Sequence, residues 1–487
     1  MKVDSALLGP GGIAFLCFYI LTLILIGWLG KKARKENSLS DFYLAGRGMG
    51  VLVLFLTLYA TQYSGNTLVG FAGRAYREGY HALVLVTFLT AAVGAFIVYA
   101  PKLYQLSKKY KFITPADYVH HRFSNNKLTL FAAALCLVAL ANYILTNLKA
   151  IGYIVVAVTG GVIPFAYGVI ALSLVMVIYE TMGGMRSVAW TDALQGIILM
   201  IGVITIFITI QLEYGGFEFI YNQIQLTDPQ KFIPPNLTQK LTWFSTVCLG
   251  FFGISIYPHA VQRIYSAKNE RTLKKSIQIM AFMPLITTLF MVVVGLTALA
   301  LFSGLDRQTS EGATLLVLQD LGRRGAIGAG MMMLFLSATI AAIMSTVDSA
   351  LLSMSSIITK DFYTRLKPGK TQAELTRLGK RLSWGIMAFS VYLAIVLPQT
   401  IWRLLEIKLE LLIQIAPAIF LGLYFKKIQS SSVLWGMAIG TLFAVGTMVT
   451  NKLGFNIPAK PWGIHAGVWG LLINISIIFA LEKIRAK

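Results

Sequence analysis

Apolar runs, each of roughly twenty residues, recur from one end of the chain to the other, and that length is what a helix needs to cross a bilayer. Only helices or closed barrels satisfy their backbone groups in hydrocarbon, and these runs are too long and continuous for barrel strands. With 56% hydrophobic and 13% charged residues among 487, there is too little charge to coat a soluble chain of this size. The sequence therefore predicts an all-α membrane protein, one transmembrane domain over 1–487. Thirteen spans are expected, at 11–30, 51–72, 81–101, 128–158, 162–180, 189–212, 241–262, 274–303, 325–357, 381–398, 401–425, 432–450 and 464–482. The first run lacks the charged start and small-residue cleavage site of a signal peptide and reads as a retained span.

The net charge of +22 does not indicate a nucleic-acid partner. Lys and Arg sit in short loops between apolar runs, and most of the 42 fall in alternate loops. That bias marks the cytoplasmic side of a membrane protein and predicts an outside N-terminus and an inside C-terminus. Cys17, Cys136 and Cys248 lie singly inside apolar runs, without disulfide or zinc spacing. The longest outer loop, 213–240, contains the sequon Asn236-Leu237-Thr238.

Two spans carry material that a membrane helix tolerates poorly. The second holds Tyr59-Ala60-Thr61-Gln62-Tyr63-Ser64-Gly65-Asn66-Thr67, and the seventh holds Phe252-Gly253-Ile254-Ser255-Ile256-Tyr257-Pro258-His259. Gly and Pro weaken a helix, and Pro258 has no backbone hydrogen to give. Interrupted helices at matching positions of two halves are where transporters place their sites. Five spans separate the two breaks, so the halves run oppositely, which predicts inverted repeats over 51–212 and 241–425 with 11–30 and 432–482 peripheral.

A charge within the hydrocarbon costs on the order of 2.5–3.5 kcal/mol and needs a partner or water. Asp192 and Asp348 stand out. Asp348 sits among Ser345, Thr346 and Ser349 in the ninth span, and clustered hydroxyls with carbonyls from an unwound helix can cage a small hard cation. Asn142, Thr146, Lys149 and Tyr153 share one face of the fourth span, where Lys149 can meet a solute carboxylate, pair with a buried acid, or snorkel. Glu406, Glu410 and Gln414 form a stripe in the eleventh span, with Lys408 off that face.

Three segments in order resemble the sodium/solute symporter family, whose members carry proline, pantothenate, sialic acid and sugars. They are Asp41-Phe42-Tyr43-Leu44-Ala45-Gly46-Arg47, then Tyr179-Glu180-Thr181-Met182-Gly183-Gly184-Met185-Arg186 with Trp190-Thr191-Asp192-Ala193-Leu194-Gln195-Gly196, and the Ala-Ala-Ile-Met-Ser-Thr run at 341–346. The resemblance covers nearly the whole chain. It implies a leucine-transporter-like core of two five-helix repeats. It also implies a sodium site from the carbonyls of Ala60, Tyr63 and Ala342 and the hydroxyls of Ser345 and Thr346. A second cation site implied in some members falls on Asp192, Ser345, Asp348 and Ser349. Asp348 stands where those members have a hydroxyl, leaving a second ion or a proton open. Gln62 stands where proline transporters have an aspartate, and the Gly253…Pro258-His259 run is closer to pantothenate-type members.

The reading is a sodium-coupled symporter, not an enzyme, that imports a small polar, carboxylate-bearing solute through a cell membrane. Candidate solute contacts are Gly65, Asn66, Thr67, Asn142, Thr146, Lys149, Ser255, Tyr257, His259, Glu410 and Gln414. The expected partners are solute, sodium ion and lipid. Proton coupling, a sugar-type solute and a non-transporting sensor are the alternatives.

Overall fold

The computed structural model describes residues 10–397, 408–452, 458 and 460–486. Among them there are helices and no strands; an isolated parallel bridge joins Met49 to Ala267. The main helices are α1 (Pro10–Lys32), α2 (Val51–Gln62), α3 (Phe71–Glu78), α4 (Val84–Tyr110), α5 (Asn126–Val158), α6 (Phe165–Gly183), α7 (Met185–Glu213), α8 (Leu237–Phe252), α9 (Pro258–Ser266), α10 (Glu270–Met280), α11 (Leu289–Leu301), α12 (Ala326–Ile357), α13 (Gln372–Val396), α14 (Ala416–Tyr424), α15 (Ser430–Lys452) and α16 (Ala466–Ala486). Nine helical stretches among the described residues are long and apolar enough to cross a membrane, or ten if the bent pair α8–α9 is one crossing. Of the predicted eleventh span, the part before Lys408, with Arg403 and Glu406, lies outside the described residues.

Both predicted interruptions are present. α2 stops at Gln62, Tyr63 leaves the helical region at φ −97, ψ 89, and a π turn over Asn66–Gly70 leads into α3. A side chain at Gly65 would run into Ile343, so the missing Cβ lets α12 press against the break. The second interruption comes in two steps. α8 ends at Phe252, one 3-10 turn covers Ile254–Ile256, and Tyr257 takes an extended conformation before Pro258. That conformation is forced on a residue preceding proline, and Pro258 then opens α9, where its missing N–H is harmless. The bend is 52°.

α12 is the hub. It packs on α2, α5, α7 and α9, and its residues from Ala341 to Ala350 are almost all fully buried. α1 packs on α6 and α7, and α15 on α16. Helix ends outside the apolar runs follow local chemistry: α13 begins nine residues earlier than the predicted span, with Thr371 and Glu374 forming a capping box. Asn236 also caps a helix, accepting from the Gln239 N–H at 2.9 Å while Gln239 returns a bond to the Asn236 N–H at 2.8 Å. Such polar starts carry low hydropathy and escape an apolar-run reading.

Candidate cation and solute site

At the end of α2 the Ala60 carbonyl accepts the Ser345 hydroxyl at 2.8 Å. Ser345 also reaches the Ala342 carbonyl at 3.1 Å, which accepts Thr346 at 2.8 Å. Four of the five oxygens implied for sodium, from Ala60, Ala342, Ser345 and Thr346, are thereby joined in one cluster. Tyr63, the fifth residue, ends α2 with its N–H on the Tyr59 carbonyl at 3.1 Å; no hydrogen bond among the described residues links its carbonyl to the others. The Thr61 carbonyl beside them accepts the Tyr143 hydroxyl at 3.3 Å. The joined set is all oxygen and formally neutral, which suits a hard monovalent cation better than a divalent one.

One turn further along α12 the chemistry changes. Asp192 of α7 is fully buried and pairs with Arg263 of α9 at 2.8 Å. The same guanidinium bonds Ser349, the Thr57 hydroxyl at 2.8 Å and the His259 carbonyl at 3.0 Å, while Thr57 donates to Asp192. Asp348 accepts from the Tyr179 hydroxyl at 2.6 Å and from Ser349 at 3.2 Å. Of the four residues assigned to a second cation, Asp192 and Ser349 are thus bridged by a fixed guanidinium, Asp348 is held by hydroxyls, and Ser345 turns to Ala60. Arg263 falls just beyond the predicted seventh span, 241–262, whereas α9 continues to Ser266.

The candidate solute contacts divide. Tyr257 and His259 stack with Tyr143, at ring separations of 5.2 and 5.5 Å. With Gln62, Ile254 and Arg263 they line a small cavity between the breaks. Its volume, about 10 Å³, is that of a single water, so helices must part before a solute enters. Gly65, Asn66 and Thr67 form the first break and are buried or nearly so. Thr146 bonds back to the Asn142 carbonyl at 2.8 Å and Ser255 to that of Phe251 at 2.5 Å. Lys149 donates to the Leu397 carbonyl, and Tyr153 is 58% exposed, so the fourth-span face is not a single inward stripe. Glu410 packs against Gly467, and Gln414 donates to the Gly467 carbonyl at 2.8 Å; that stripe faces α16. Lys408, off the stripe, is fully buried with its ammonium 3.4 Å from the centre of the Tyr143 ring.

The segments that carried the resemblance also meet. Asp41 pairs with Arg186 at 2.8 Å and Arg34 at 3.5 Å. Between them Gly184, at φ +62, lies against the Phe42 carbonyl, where any side chain would collide. The family model described as "Sodium:solute symporter family" matches residues 42–440. The chain belongs to the sodium:solute symporter family.

Relatives of this symporter include the sodium/proline symporter of Staphylococcus aureus (strain bovine RF122 / ET3-1), 26% identical over 96% of this chain and 92% of that one. The sodium/pantothenate symporter of Escherichia coli (strain K12) is 28% identical over 88% of each. Its fold is that of a Na+-coupled sialic acid symporter solved in a substrate-bound outward-open state, with a TM-score of 0.80, 20% identity and 98% of both chains covered. This family member is accordingly a multi-pass, sodium-coupled transporter and not an enzyme.

Proposed function

We propose that this symporter imports a small carboxylate-bearing solute across the cell membrane with sodium, by alternating access. The observation that carries the reading is the Ser345–Ala60 contact at 2.8 Å, because it sets hydroxyls of α12 against carbonyls of an interrupted α2. In this reading Ala60, Tyr63, Ala342, Ser345 and Thr346 hold the ion, and its binding ties the break beside Gly65, Asn66 and Thr67 to α12. Solute and sodium then strengthen each other's binding by the same factor, since coupling is reciprocal. Each inward charge gains roughly 2.3 kcal/mol per 100 mV of inside-negative potential, more than one decade of accumulation.

The topology belongs to the same proposal: thirteen crossings, N-terminus outside and C-terminus inside, with repeats over 51–212 and 241–425. The relatives' solutes, proline and pantothenate, both bear carboxylates, which supports that class. A proton-coupled reading is favoured by one observation, that Asp348 is buried with hydroxyl partners while Arg263 pairs with Asp192. Counterflow of labelled solutes in proteoliposomes, with sodium, potassium or a proton gradient alone, separates the two. Sodium-dependent counterflow is expected; counterflow driven by protons without sodium would reject the sodium reading.

A further inference from the structure

Lys408 is a fully buried cation that the symport chemistry above does not use. Its side chain is fully buried, and its ammonium has no hydrogen-bond partner among the described residues. It lies 3.4 Å from the Tyr143 ring centre and 5.6 Å from that of Tyr257. A ring face returns only part of what an ammonium loses on leaving water, so an anion is the missing complement.

Two more polar atoms, on the cavity that Tyr257 lines, are unmatched. The Gln62 side-chain nitrogen and the His259 Nδ1 are buried without hydrogen bonds, and both residues line the cavity with Tyr257. Tyr143, beneath Lys408, stacks on both Tyr257 and His259. Backbone packing brings the lysine's helix to this point: a Cβ on Gly253 would sit 3.4 Å from the Leu409 carbonyl oxygen. Buried polar groups are ordinarily satisfied. Here an amide nitrogen and an imidazole nitrogen are unmatched on one small cavity between the two broken helices, and an unmatched ammonium lies 5.6 Å from the ring centre of Tyr257, which lines that cavity.

We infer that Lys408, with Gln62 and His259, forms the subsite that holds the carboxylate of the transported solute. The inference rests on the symport reading and adds to it the group that recognises the acid. It transfers that role from Lys149, which donates to the Leu397 carbonyl, to a lysine 259 positions further along the chain.

The test is 22Na+ binding to purified full-length protein, titrated with pantothenate, L-proline, N-acetylneuraminate and L-lactate, each beside its primary amide. At least one acid is expected to tighten sodium binding about five-fold or more, and its amide is not. Lys408→Met is expected to abolish the acid response while sodium affinity without solute stays within about two-fold, and Lys408→Arg to retain part of it. Equal action of acid and amide, a response to no acid in the panel, or an undiminished acid response in Lys408→Met would overturn the inference. Absence of sodium binding in the unsubstituted protein would overturn the symport reading and this inference with it. Loss of acid preference with sodium binding intact overturns only this one.

Discussion

Ser345 gives its hydroxyl hydrogen to the Ala60 carbonyl at 2.8 Å across 285 residues of chain. The bond fastens the interrupted α2 to the middle of α12, and a cation between the same oxygens would take over that fastening. Sodium held there would be linked to the conformation of the break by a handful of atoms rather than by a diffuse rearrangement.

Arg263 and Asp192 form a fully buried ion pair. Removing one partner of such a pair leaves an uncompensated charge and costs roughly 3–5 kcal/mol. Arg263→Met is expected to lower the thermal unfolding midpoint of the detergent-purified protein sharply. Adding Asp192→Asn should restore much of the loss; a double variant no better than the single would show that the pair does not act as a unit.

Gly184 combines a positive φ with contact against the Phe42 carbonyl. Gly184→Ala meets both the strain of a positive-φ, extended-ψ conformation that only glycine adopts readily, about 1–3 kcal/mol, and a collision with backbone that cannot move aside cheaply. The expected outcome is a large loss of folded protein in fluorescence-detected size exclusion. Wild-type yield would contradict the packing described.

Tyr179 donates to Asp348 at 2.6 Å, both fully buried. Tyr179→Phe removes a hydrogen bond to a carboxyl group, worth about 1.5–3 kcal/mol if that group is charged and about 1 if it is protonated. A loss in unfolding free energy near the lower figure, measured by chemical denaturation, would favour a protonated Asp348, and one near the upper a carboxylate.

The two breaks were readable in sequence because Gly, Pro and polar residues conflict with an apolar helix locally, within ten residues. Ser345, Asp348 and Ser349 stand out for the same reason, whereas the setting of Ser345 and Thr346 against Ala60 follows from the family resemblance. Arg263 and Lys408 were not readable, since hydropathy charges each cation its full cost and cannot see what offsets it: Asp192 lies 71 residues from Arg263, and the Tyr143 ring is far from Lys408 in sequence. Glu410 and Gln414, the described part of the Glu406–Glu410–Gln414 stripe, share a face, but periodicity does not say which neighbour a face meets. It meets α16, which left Lys408 turned toward Tyr143. Span ends drifted where polar caps such as Thr371 extend a helix beyond its apolar part.

The most direct measurement is the sodium concentration giving half-maximal solute counterflow in proteoliposomes for the unsubstituted protein, Ser345→Ala and Thr346→Val. The account predicts a rise of about ten-fold or more for each variant, the equivalent of about 1.4 kcal/mol, at unchanged protein incorporation. An unchanged sodium requirement in both would contradict it.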